Sequence, residues 1–186
     1  MSDRRAAVRR ERKERIKVGK NRSANREILR AAEQGKLDGR AIAFCVIANL
    51  LYDLHGFRKK RIEDFLEKCN KEAVRFDQGG LQFVLKFYAD KLIVKINNVD
   101  VMQKPKSIAE QIYLNQRDDF YVSSIALMLA VLNDDYGMAS NRKNTGRLDT
   151  IMEYCTNEYV KLQLDTERRN AKWYVQRTRE KIGMNI

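Results

Sequence analysis

A single proline, Pro105, stands in a chain of 186 residues, and only nine glycines accompany it. Sheet sandwiches and barrels need turn signals roughly every 8–12 residues, and those turns draw on proline and glycine. A chain so poor in both is expected to be all-α. With 44% hydrophobic residues it can bury a real core. Its length suits one domain plus an arm. One histidine and three cysteines leave few side chains for zinc or for nucleophilic catalysis. No cofactor and no metal are expected.

Charge is concentrated at one end. The chain carries 37 Lys/Arg against 25 Asp/Glu, a formal +12. Residues 1–30 hold twelve of those cations and four carboxylates; the rest of the chain holds 25 and 21. Apolar periodicity is absent before Ile28. Residues 1–24 are therefore expected to be a flexible basic arm, helical when its charge is matched, and residues 25–186 a helical domain. No leader peptide is visible, since no apolar stretch follows the charged N-terminus. The longest apolar run, Ala41–Leu51, has eleven residues with Asn49 inside it, too short for a membrane span. Cys45, Cys69 and Cys155 are widely spaced with no CxxC, which fits reduced thiols and a cytoplasmic setting.

Helical spacing divides the domain. Ile28, Leu29, Ala32 and Leu37 predict a short amphipathic helix closed near Gly35. Asp38 is placed to cap a helix over 39–54 that is apolar nearly all round, the central core helix. After Gly56, Ile62, Phe65, Leu66, Cys69 and Ala73 mark the buried face of a helix over 58–75. A turn is expected at 77–80, a helix over 81–96, although the alternation over Leu92–Val101 also suits a short strand or hairpin around Asn97-Asn98, and a short helix opened by Ser107 with Glu110 at capping-box spacing. Asp118 or Asp119 is expected to start a buried helix through Leu132. One long C-terminal helix is expected over 146–182, stopped by Gly183.

Two stretches repeat. Residues 51–57 read LYDLHGF and 132–138 read LNDDYGM; residues 61–72 read RIEDFLEKCNKE and 147–158 read RLDTIMEYCTNE. Each unit, about 42–75 and 125–161, is an apolar helix, a glycine turn and an amphipathic helix with a cysteine on its buried face. The expectation is a single helical bundle with an internally duplicated helical hairpin related by a pseudo-twofold axis.

The basic residues carry the functional expectation. In the arm, Arg9, Arg10, Arg12, Lys13, Arg15, Lys17, Lys20 and Arg22 have the composition of segments that neutralise nucleic-acid phosphates. The turn Arg58-Lys59-Lys60-Arg61 sets four cations at a helix N-terminus, against the helix dipole, an arrangement that an anion would relieve. Arg142 and Lys143 occupy the matching loop of the second unit. Arg169 and Lys172 flank Trp173, a pairing suited to stacking on bases or to a protein interface.

Leu51-x-x-Leu54-x-Gly56-Phe57 followed by Ile62-x-x-Phe65 resembles a helix-hairpin-helix, a motif that holds DNA backbone without reading sequence. Arg58 stands where that motif has its second glycine, and Ile62 where it has a small residue. The HGFRKKRIEDFLEKC stretch and the basic helical build also resemble small proteins of bacterial phages and mobile elements. The resemblance implies DNA or RNA handling, or inhibition of a host nucleoprotein.

An enzyme is not expected. Asp118-Asp119 and Asp134-Asp135 flank one helix of about 15 residues, whose ends lie about 22 Å apart, too far to share a metal site. The chain has no P-loop, GxGxxG, GxSxG or HExxH. The expected function is non-enzymatic nucleic-acid binding through backbone phosphates. The alternative is a protein-binding regulator or inhibitor whose basic surface blocks a host protein or nucleoprotein.

Overall fold

Among the described residues the expected helices form, with different joints. The computed structural model describes residues 2–77, 89–90, 105–138, 145–165 and 168–184, and of residues 2–22, 75–77 and 145–146 the backbone only. Among the described residues there are five helices and no strand: α1 (Ser2–His55), α2 (Lys59–Asp77), α3 (Ile108–Asp134), α4 (Thr145–Leu164) and α5 (Ala171–Ile182). The expected turn after Asp77, the helix over 81–96 apart from its helical residues 89–90, and the loop holding Arg142 and Lys143 lie outside the described residues.

The first correction concerns α1. It runs 54 residues without a break, about 81 Å at 1.5 Å per residue. The stretch expected to be a basic arm, helical when its charge is matched, is helical backbone continuous with the core helix. Gly35 does not close a helix and Asp38 does not cap one. The reason is packing. A Cβ at Gly35 would lie 2.4 Å from the Tyr113 carbonyl oxygen, and one at Gly39 would lie 2.2 Å from that of Arg117. The two glycines, one turn apart, let α1 meet the backbone of α3. Asp38 instead accepts from the Tyr113 hydroxyl at 2.7 Å and from Gln34 Nε2 at 2.7 Å.

Gly35 faces Tyr113 and Gly39 faces Arg117 and Tyr121, so α1 and α3 run parallel. Above the crossing they share the core: Ile42, Val46, Leu50 and Leu51 pack with Tyr121, Ile125, Leu129 and Leu132. Burial of each such side chain contributes about 1.5–3 kcal/mol. The phenol of Tyr121 ties α3 to α4 by donating to the Cys155 carbonyl at 2.8 Å.

The second correction is to α3, a single helix of 27 residues. Ser107 caps it as expected, its hydroxyl accepting from the Glu110 amide at 3.1 Å. Asp118 and Asp119 lie inside it rather than at its start. Asp118 accepts from Arg117 Nε at 2.8 Å and from Gln163 Nε2 at 3.0 Å. A buried arginine, 3% exposed along its side chain, has its countercharge there.

The third correction divides the long C-terminal helix. α4 ends at Leu164, and Asn170 caps α5 by accepting from the Trp173 amide at 3.1 Å. A straight helix would carry the apolar face of its second half into solvent. The break lets α5 fold onto α1, burying Ala171, Tyr174, Thr178 and Ile182. Buried Asn49 of α1 donates to Thr178 Oγ1 at 2.8 Å. Across the fold, buried Glu158 of α4 accepts from Tyr174 (3.1 Å) and Lys161 (2.7 Å), with Arg169 at 3.5 Å. Gly183 ends α5 with φ +75°, its amide donating to the Arg179 carbonyl at 2.9 Å, as the sequence led one to expect.

The two hairpins close alike. Gly56 and Gly137 have φ of +65° and +60°. The Phe57 amide donates to the Leu51 carbonyl at 3.0 Å and the Met138 amide to the Leu132 carbonyl at 3.2 Å. Ile62, Phe65 and Cys69 on α2 are buried, as are Leu148, Ile151 and Cys155 on α4.

Two glycine substitutions separate the two uses of glycine. Gly39→Ala gains about 1 kcal/mol in helix propensity but must push two backbones apart, a strain of about 1–3 kcal/mol or more, so it is expected to destabilise the protein in urea unfolding. Gly56→Ala meets no atom within 4 Å. It is expected to cost about 1–2 kcal/mol through its left-handed backbone conformation alone.

Candidate nucleic-acid interface

Because α1 and α3 run parallel, the turns that follow them reach the same end of the bundle. The ring of Tyr136, from the second turn, lies 5.5 Å from Phe57 of the first and 5.8 Å from Phe65 of α2. These rings are a floor for cations. The Arg61 guanidinium sits 3.9 Å over Phe57 and 5.7 Å from the Tyr136 ring, and Lys68 lies 4.9 Å from Tyr136. Arg58 lies 5.4 Å over Tyr52. Stacking uses the flat face of a guanidinium and leaves its charge and its in-plane N–H donors for an anion.

The expected turn cations divide by their partners. Lys59 lies 3.9 Å from Glu63, an exposed pair of small energetic weight. Arg58, Lys60, Arg61 and Arg147 are exposed. Among the described residues none of these four has a carboxylate within 4 Å. The first turn of α2 holds no acidic residue, so Arg58, Lys60 and Arg61 oppose its dipole as the sequence implied.

Arg147, at the start of α4, acts across to the first turn. Its charge, after the larger effect of burial, holds the His55 imidazole below its ordinary range. His55 Nε2 is buried with no hydrogen-bond partner among the described residues. The Arg147–His55 pair occupies the positions that correspond in the repeat to Arg61–Tyr136. In each hairpin the arginine of the second helix is thus near enough to act on the turn of the other, Arg61 on Tyr136 and Arg147 on His55.

The other expected residues are scattered. Of Arg9, Arg10, Arg12, Lys13, Arg15, Lys17, Lys20 and Arg22 the backbone is described, on the first turns of α1, at the opposite end of that helix from Arg58–Arg61. Arg142 and Lys143 lie outside the described residues. Lys172 of α5 is exposed, but Arg169, just before that helix, is drawn inward by Glu158. Trp173 is half-buried, with Arg169 and Arg177 guanidiniums 5.2 and 5.1 Å from its ring and Tyr174 edge-on at 4.8 Å. Tyr174 is buried and bonded to Glu158, so it belongs to the core rather than to a stacking platform.

Sequence reasoning missed the aromatic floor of Tyr52, Phe57 and Tyr136. Its signal was present: an aromatic adjoins the turn glycine in both units, Gly56-Phe57 and Tyr136-Gly137. At the other end of the α1–α3 pair, before the glycine crossing, the helices leave an open groove of about 700 Å³ lined by Ala31, Leu37, Ala109 and Tyr113. Glu27, Glu33 and Glu110 also line it, against Arg30 alone. That sign of charge disfavours phosphate.

No cluster of three or more side chains able to hold a metal occurs among the described residues. No described helix is long and apolar enough to cross a membrane. The thiols are internal: burial pushes Cys45 up to about 11 and raises Cys69 and Cys155 further. Comparison of the chain with protein-family models, with curated proteins and with solved structures found no match.

The lowered His55 predicts a pH effect. The unfolded chain takes up a proton near pH 6.5, whereas the folded one does so only at lower pH. Stability from this group is complete above that value and is lost as pH falls through it toward the folded value. Thermal unfolding is expected at lower temperature at pH 5.5 than at pH 7.5, and His55→Gln is expected to flatten the difference.

Proposed function

We propose that this protein is a non-enzymatic nucleic-acid-binding protein that grips backbone phosphates. The observation that carries the reading is the end of the bundle where Arg58 and Arg61 lie over aromatic rings beside Lys60 and Arg147, none of these four having a carboxylate within 4 Å among the described residues, while Lys59 and Lys68 there pair with Glu63 and Asp135. A guanidinium already held over a ring loses little further freedom when it meets a phosphate in bidentate fashion. The ten cations of residues 1–22 supply non-specific attraction. Neither group has the paired Asn, Gln and Arg pattern of base readout, so recognition is of backbone rather than sequence.

A second reading, a regulator or inhibitor that binds a protein, is favoured by one feature. The groove between α1 and α3 is open and partly apolar, Leu37 on its wall is 61% exposed, and Ile108 beside it is 71% exposed. Its carboxylates suit a basic, amphipathic peptide segment rather than a nucleic acid.

Fluorescence anisotropy of labelled DNA and RNA, single- and double-stranded, tests the first reading. Binding is expected to weaken steeply with salt. Arg58→Gln with Lys60→Gln is expected to lower the slope of log K against log salt by about 1.8 on duplex DNA, about 0.9 for each phosphate no longer neutralised. No binding to any of the four probes at physiological salt, or a slope unchanged in the double variant, would overturn it.

A further inference from the structure

The sequence invites a picture in which arm and turn grip the same stretch of nucleic acid. The structure places them apart. Both belong to one helix line: the arm forms the first turns of α1, and the Arg58–Arg61 turn follows its last residue. Arg15 and His55 are 40 residues apart on α1, about 60 Å. The cations of α5 do not close the distance. α5 runs alongside the second half of α1 in the same direction, with Thr178 bonded to Asn49 and Lys181 to Asp53, so Lys172, six residues before Thr178, lies about 9 Å back from it along the axis and still about 30 Å from Arg22.

Between Arg22 and Cys45, about 35 Å of helix, α1 carries four cations and three carboxylates. Glu110 of α3 adds a fourth carboxylate in the groove on that stretch. With Arg117, Asp118 and Asp119 of α3 on the same stretch, the two helices carry five cations and six carboxylates there, no net positive charge, over a length about four times the Debye length of about 8 Å at physiological salt. Two basic ends separated in this way attract polyanions independently. A 10-base-pair duplex, about 34 Å long, cannot reach from the middle of the arm to the turn.

We infer that the protein is a two-ended nucleic-acid linker, one monomer holding a separate segment at each end of α1 and so bridging two backbones. This rests on the nucleic-acid reading above and adds to it the number and placement of sites.

The full-length chain is titrated with 10-base-pair DNA duplexes, half carrying a donor fluorophore and half an acceptor, at low salt. Stoichiometry is read by anisotropy and bridging by energy transfer. Two duplexes per chain are expected, with transfer that rises as protein is added and falls once protein exceeds duplex. Two full-length variants, each checked for native helix content by circular dichroism, assign the ends. One carries Arg9, Arg10, Arg12 and Lys13→Gln, the other Arg58 and Lys60→Gln. Each is expected to retain binding at its intact end, near one duplex per chain, and to lose most of the energy transfer. One duplex per wild-type chain would overturn the linker while leaving nucleic-acid binding intact. So would transfer that persists in either variant, since bridging would then come from self-association. No duplex bound at all would overturn the underlying reading as well.

Discussion

The close approach of α1 to α3 at Gly35 and Gly39 is the contact on which the rest of the structure depends. With two Cβ atoms missing on one side, the crossing brings α1 within reach of the Tyr113 and Arg117 carbonyls. That proximity aligns Asp38 with the Tyr113 hydroxyl and sets Lys36 and Arg40 each 5.5 Å from the Phe120 ring. It also fixes direction. The two helices leave the crossing side by side and parallel, so a long connection must return the chain from the end of the first to the start of the second.

Parallel helices give the bundle two unlike ends. At one, both glycine turns converge and pool their aromatics beneath Arg58, Arg61 and Lys68. At the other, α1 continues as a charged helix beyond the groove. An antiparallel pair with the same residues would have put the two turns at opposite ends, with no shared aromatic floor and no arginine reaching from each hairpin to the turn of the other. The polar contacts inside the bundle serve the same geometry. Glu158 receives three donors where α4 folds back to α5, and Asn49 reaches Thr178 where α5 lies on α1. Glu158 therefore meets Arg169, a residue whose sequence context pointed to nucleic acid, and turns it to a structural use.

Much of the local structure was legible. The apolar spacing of Ile62, Phe65 and Cys69 found the buried face of α2, and Gly56 and Gly183 marked real helix ends because both positions require positive φ. Ser107 with Glu110 found the start of α3, since capping is a contact within four residues. The misreadings share one cause. Gly35 looks like a stop, and Asp38, Asp118 and Asp119 look like caps, when only chain neighbours are considered. Gly35, Asp38 and Asp118 answer to partners far away in sequence: Tyr113 and Gln163 among them. Asn170 was overlooked as a cap for the converse reason, because the surrounding residues suit a helix and only the burial of Tyr174 and Thr178 against the core makes a break favourable.

By itself the sequence determined that the chain is helical, where its apolar faces lie, that its cysteines are buried, and that positive charge collects in the first thirty residues and beside Gly56. Those properties follow from composition and from periodicity over a few turns, which local sterics and solvent exposure decide. Only the tertiary structure decided that α1 runs unbroken, that α1 and α3 are parallel, that the two turns share one aromatic floor, and that the basic arm stands at the opposite end of α1 from the basic turn. Each of these depends on how closely two backbones approach. That distance is set by the absence of a side chain at two glycines and by the residues that face them from more than seventy positions away.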